Sequence, residues 1–200
     1  MEKWFFEENS KTSFEIDISE KRRITQSLVA FSNHEGGSVF FGVNSKSKIV
    51  GCFPKEIIKS TNVIIQRFCV NVNLSDSLVH EFNNKMVVEC RINKSIDPAR
   101  IVNSDMDNGY YIRLNVENIK AGKILSSYFH LLANPRSNLL MDHHKVDSLV
   151  RLIKNNGPHS LAQLYKLSEL TKSEVDNYLP LLLFNKIIKF ELIDSLVLFY

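Results

Sequence analysis

A chain of 200 residues, 44% hydrophobic and 24% charged, can bury one large core or two small ones and is too apolar to stay disordered. Its net charge of +3 excludes the strongly cationic body of a dedicated polyanion binder, so any phosphate-backbone contact needs a local patch. Cys52, Cys69 and Cys90 have no ligand-like spacing, and an odd number without a CxxC points to reduced thiols in a cytoplasm. The start, MEKWFFEENS, lacks a basic segment followed by a long apolar one, and no apolar run approaches the roughly 20 residues of a membrane span. A soluble cytoplasmic protein is expected, away from membranes.

Taken in order, SFEIDI (13–18) alternates Phe14, Ile16 and Ile18 with polar residues and predicts a half-buried strand. Ser19 is placed to cap a helix over EKRRITQSLVAFSN, which should stop at Gly36-Gly37. SVFFGV (38–43) reads as a central strand, NSKSK as a polar turn and IVGCF as the second arm of a hairpin. Pro54 opens a helix over PKEIIKSTNVIIQRF. SLVHEF and KMVVECRI flank Asn83-Asn84 as a tight hairpin. GYYIRLNV (109–116) predicts another strand and AGKILSSYFHLL (121–132) an amphipathic helix.

The composition changes at ANPRSNLLMDHH, which reads as a linker over 134–144. Beyond it, KVDSLVRLIKNNG predicts a helix ending at Gly157, and Ser160 caps a second. Thr171 and Glu174 form a capping box for a third, within which Pro180 predicts a kink or an early end. IIKFELIDSLVLFY closes the chain as two apolar runs around a turn near Asp194. Three helices followed by a hairpin give the order of a winged helix-turn-helix. The expected fold is therefore α+β: a mixed or antiparallel sheet with flanking helices over 1–133, then a small winged helix over 145–200.

The densest stretch is AFSNHEGGSVFFGVNSKSKIVGC, residues 30–52. Its glycines permit a sharp helix-to-strand turn, whose backbone N–H groups either serve the turn alone or hold an anion. No GxxxxGK[ST] occurs, so no phosphate loop of the common nucleotide hydrolases is expected, and no cofactor. This stretch resembles the signature of the Schlafen-type Alba domain, a DNA- or RNA-binding domain, through Ala30, Phe31, Asn33, Gly36, Gly37, Gly42, Val43 and Gly51. Further on, YYIRLNVENIKA is similar to the family's late strand through Tyr111, Arg113 and Asn118, so the resemblance spans roughly residues 10 to 130. A C-terminal winged helix is frequent in that family and agrees with the independent reading above.

The resemblance also implies an alternative, a metal-dependent ribonuclease built on clustered carboxylates. Glu15 stands at one acidic position, but Ser10 and Asn44 stand at the other two, with Glu8 in reach only by a two-residue slip, and Asp17 replaces a lysine. Catalysis is therefore not expected, and Glu15 reads as a solvated strand residue. His143-His144 has no acidic or thiol neighbours in spacing to make a metal site, and none is expected. The expected function is DNA or RNA binding, as in transcription regulation, through Lys21, Arg22 and Arg23 on the first helix, Lys46 and Lys48 in the turn, and Arg113. Lys172, Ser173, Asp176 and Asn177 would face outward from the third C-terminal helix, near Glu174; the acids among them oppose phosphates. A third reading is thus a scaffold that forms a homodimer through the winged helix.

Overall fold

The computed structural model describes residues 7–135, 143–155, 157–194 and 196–200. The chain forms two compact units, Met1–Lys120 and Ala121–Tyr200. Among the described residues no helix is long and apolar enough to cross a membrane, and Cys52, Cys69 and Cys90 are free.

In the first unit, strand β1 (Thr12–Glu15) leads into helix α1 (Lys21–Ser32), and the chain returns as β2 (Gly37–Phe41), parallel to β1. A β-α-β return is the usual way to join parallel neighbours, because a tight turn cannot reverse the chain twice. Helix α2 (Pro54–Phe68) begins at Pro54, whose fixed φ suits a first helical turn. It runs into the short strand β3 (Cys69–Val70). Strands β4 (Asn73–Phe82) and β5 (Lys85–Asn93) form an antiparallel hairpin with Asn83 and Asn84 at φ +46° and +62°, the left-handed pair a tight reversal requires. The resulting mixed sheet has the order β1-β2-β5-β4.

Two further pairs complete the unit. β6 (Arg100–Ile101) pairs with β3, and β7 (Tyr111–Leu114) with β8 (Glu117–Lys120). Helix α1 is buried on two sides. Ile24, Leu28 and Phe31 pack with α2 residues and with Val39, Phe41, Val88, Cys90 and Ile92 from the sheet. Val29 and Ala30 pack with Ala99, Ile101 and Tyr111. Each large apolar side chain so buried contributes about 1.5–3 kcal/mol. Strand alternation sends Phe14, Phe40 and Val87 to the other sheet face, where they form a separate cluster with Val43 and Ile49.

The second unit starts with α3 (Lys123–Ala133), which packs on α6 (Lys172–Phe184). Between them lie α4 (His143–Asn155), β9 (His159–Ser160) and α5 (Leu161–Leu167); after them come β10 (Phe190–Ile193) and β11 (Leu196–Phe199). The sheet order is β10-β11-β9. Leu149, Ile153, Leu164, Val175, Leu179 and Phe199 are buried. Both predicted caps are present as full capping boxes, Ser160 with Gln163 and Thr171 with Glu174. Pro180 lies inside α6 without ending it.

Several expectations are corrected. Helix α1 starts one residue after Glu20, and Ser19 makes no cap: its N–H donates to the Asp17 carboxylate at 2.8 Å. The arm IVGCF is not a strand, because Gly42 and Gly51 sit at φ +89° and +86° and leave only isolated bridges. The strand expected over 109–116 ends at Leu114; Asn115, at φ +50°, turns the chain into β8. Helix α3 lies with the second unit rather than the first, because Phe129, Leu125 and Ile124 are covered there. Of the linker expected over 134–144, residues 136–142 lie outside the described residues, as does Ser195 of the terminal turn.

Candidate nucleic-acid interface

The glycine-rich motif holds the first unit together. The Asn33 side chain follows the last turn of α1 and acts as a short piece of backbone. Its Nδ2 donates to the carbonyls of Ala99 at 2.8 Å and Tyr111 at 2.9 Å, and its Oδ1 accepts the Ala99 N–H at 2.7 Å. Gly36 adopts φ +82°, and a Cβ there would lie 2.7 Å from the Ile92 carbonyl oxygen. A Cβ on Gly37 would meet the Phe31 ring at 2.6 Å. The Gly36 N–H goes to the Phe31 carbonyl and the Gly42 N–H to those of Glu15 and Ile16. These donors are used inside the protein, so Asn33, Gly36, Gly37 and Gly42 serve packing and the turn.

Beside Gly42 the two N-terminal acids meet a guanidinium. Glu15 is 4% exposed, which corrects its reading as a solvated residue. Burial pushes its carboxyl up to about 7, against the opposing pull of Arg23. Arg23 Nε lies 3.1 Å from Glu15 Oε1, an ion pair whose direction makes no hydrogen bond. Arg23 Nη2 reaches Glu8 Oε1 at 3.2 Å and the Phe14 carbonyl at 3.0 Å. Glu8 also accepts the Phe14 N–H at 2.9 Å. It thus comes beside Glu15 in space, a proximity that a linear register hides. Asn44 Oδ1 accepts the N–H groups of Lys46 and Lys48, each at 3.0 Å, and shapes the turn. Among the described residues no three His, Cys, Asp or Glu side chains gather as a metal site. His143 and His144 open α4; the His143 side chain lies outside the described residues.

The six expected cationic contacts divide. Lys21, Lys46 and Lys48 are exposed and make no ion pair among the described residues. Arg22 is exposed and donates to the Asp105 carbonyl at 3.1 Å. Arg23 is engaged by Glu8 and Glu15. Arg113 is removed from the surface: it is 2% exposed. Its guanidinium donates to the carbonyls of Asn9 and Thr12 and to Asn118 Oδ1, and lies over the Phe31 ring at 4.9 Å. Out of reach of a polymer, it fastens Asn9 and the start of β1 to β7.

Two cations were missed. Lys59 and Arg67 of α2 line a cavity of about 330 Å³ together with Lys21, above Ile18, Val63 and Phe68. Neither Lys59 nor Arg67 makes an ion pair among the described residues. Their separation of eight residues, with Val63 midway, was the available signal. A groove of about 710 Å³ on the sheet face away from the helices differs in charge. There Glu89 accepts from Ser38 and Arg91 and contacts His80, while Lys11 pairs with Glu35 at 2.9 Å.

The family model described as Schlafen, AlbA_2 matches residues 3–122. No curated protein matches the chain significantly. Among solved structures, the DIP2311 protein from Corynebacterium diphtheriae is similar at 12% identity and a TM-score of 0.48, over 82% of this chain and 31% of that one. The chain thus spans less than a third of that protein. The N-terminal domain of a protein described as related to the ATP-dependent DNA helicase RecG, from Nitrosomonas europaea, is similar at 14% identity and a TM-score of 0.38, over 67% of this chain and 85% of that one.

Proposed function

Because the chain belongs to the Schlafen AlbA_2 family, we propose that its first unit binds DNA or RNA and does not cut it. The observation that carries the binding reading is the set of exposed cations Lys21, Lys46 and Lys48, which the protein leaves without carboxylate partners among the described residues. The start of α1 supports it. No acid lies in the first turn, although the helix macrodipole disfavours cations there by a few tenths of a kcal/mol each. The absence of cleavage is supported by Arg23. Its guanidinium pairs with both Glu8 and Glu15, a cation already occupying the carboxylates that a metal would need, and Asn44 supplies no third carboxylate.

Fluorescence anisotropy of labelled oligonucleotides tests the binding. The wild type should bind, more weakly as salt rises, and Lys46→Ala with Lys48→Ala should weaken binding and flatten the salt slope. A protein that binds no DNA or RNA at low salt overturns the reading. Transfer RNA and single-stranded DNA should stay intact with Mg²⁺ or Mn²⁺. Cleavage that vanishes in Glu15→Ala would instead make the protein a ribonuclease.

The second unit is proposed to be a winged helix that pairs two copies of the chain. The order helix, short strand, two helices and hairpin supports the assignment. Leu167, Ile193 and Leu196 are 51%, 46% and 59% exposed, which supports an apolar contact with a partner. The acids of α6 do not project free charge. Asp176 meets Lys123 at 2.5 Å and the Tyr165 hydroxyl, and Glu174 meets Lys145 at 2.6 Å. Two paired chains on DNA would act as a transcription regulator in the cytoplasm. Light scattering should give a dimer, and Leu196→Lys should give a monomer; a monomeric wild type removes this part of the proposal.

A further inference from the structure

The cavity lined by Lys21, Lys59 and Arg67 adjoins a second one of about 410 Å³, and the two share Ile18 and Glu56 as walls. Each volume lies in the range of small-ligand sites, and together they form one trough along α2. Its halves differ in chemistry. One carries the three cations. The other carries Ile16, 55% exposed, and Phe53, 79% exposed. An aromatic ring so far in solvent adds nothing to the core, and its backbone is firmly held. The Cys52 N–H donates to the Met86 carbonyl at 2.8 Å, and the Phe53 carbonyl accepts from Ile57 at 3.1 Å as α2 begins.

We propose that this trough is a binding site for single-stranded nucleic acid, with a base stacked on Phe53 beside Ile16 and the adjoining phosphates on Lys21, Lys59 and Arg67. The inference rests on the binding reading above and gives it a location and a strand preference. A flat apolar ring next to a row of cations complements the repeat of base and phosphate along a single strand. A duplex keeps its base faces stacked inside and offers Phe53 nothing, so it gains only the charge contacts. Glu56 and Asp17, on the walls, keep the trough from being a uniform anion trap.

The test uses the full chain and labelled oligonucleotides of about 12 nucleotides, single-stranded and as the duplex, at about 50 and 200 mM salt. The single strand should bind at least several-fold more tightly than the duplex. Phe53→Ala should weaken single-strand binding roughly tenfold without changing the salt slope, because it removes a stacking contact. Lys59→Ala with Arg67→Ala should reduce the slope by about 1.4, near 0.7 per lost phosphate contact. All three side chains are exposed, so circular dichroism and thermal unfolding should match the wild type. If these variants bind as the wild type does while the Lys46 and Lys48 variant does not, the trough is overturned and the binding reading stands. Equal affinity for the duplex also overturns the trough. A wild type that binds no nucleic acid overturns both, as does binding confined to anionic vesicles.

Discussion

Glu15 is a buried carboxyl whose neighbours only partly repay the loss of water. Its pKa in the folded protein, about 7, lies above the 4.5 of an ordinary solvated glutamate. Between those values the folded state holds a proton that the unfolded state has released. Stability is therefore greatest below pH 4.5 as far as this group is concerned, and falls as pH rises through 7. The size of the effect is up to about 3 kcal/mol. Glu15→Gln should lose this dependence: in denaturant unfolding it should gain stability relative to the wild type on going from pH 5 to pH 8. A constant difference across that range would refute the assignment. Arg113 is the complementary case, a buried cation whose pKa is lowered by burial and supported by Glu8. Arg113→Lys keeps the charge but loses the fork that meets Asn9, Thr12 and Asn118, and should cost about 2 kcal/mol in the same measurement. Sequence reading reached the charges of these residues but not their direction. A strand pattern says which side chains alternate, and Arg113 points inward because Phe31 and the carbonyls of Asn9 and Thr12 receive it.

Elements with local signals were legible. Pro54 marked the start of α2, Asn83-Asn84 the β4–β5 reversal, and Ser160 and Thr171 the starts of α5 and α6. Each is a short-range backbone preference that needs no tertiary partner. The capping boxes give a direct test: Thr171→Ala should destabilise the second unit by about 1 kcal/mol, read as an earlier thermal transition. Elements without local signals were missed. β8 reads ENIK, polar at both ends, and exists because β7 offers it an antiparallel partner. β3 and β6 are two residues each and pair across a long stretch of chain. The trough on α2 was missed for a related reason: Lys21 and Arg67 lie on different helices, and only packing sets them around one cavity.

At the scale of the molecule, the two-part organisation was legible from the change in composition, but the boundary was not. The pattern of α3 shows that one face is buried and cannot name the partner. Its Ile124, Leu125, Phe129 and Leu131 are buried, Tyr128 meets Phe190 edge-on with ring centres 6.1 Å apart, and Lys123 pairs with Asp176. A chain cut after Lys120 should therefore remain monodisperse and keep the thermal transition of the first unit. One cut after Ala133 should expose the apolar face of α3 and aggregate. Gel filtration and scanning calorimetry of the two fragments separate these outcomes, and equal behaviour would contradict the division.

The Asn33 clamp bears on the order in which the first unit folds. Its three hydrogen bonds join residues 66 and 78 positions apart, so they cannot form until most of the unit's chain has come back to α1. The β4–β5 hairpin, by contrast, closes over two residues. Closing a long loop costs entropy before any contact compensates it, so local pieces form first and distant pairings last. Asn33→Ala should then leave the refolding rate of the first unit nearly unchanged and speed its unfolding by the full loss of stability. Stopped-flow refolding and unfolding of the chain cut after Lys120 would show this as a shift in the unfolding limb alone. A slowed refolding limb would place the clamp in the folding nucleus instead.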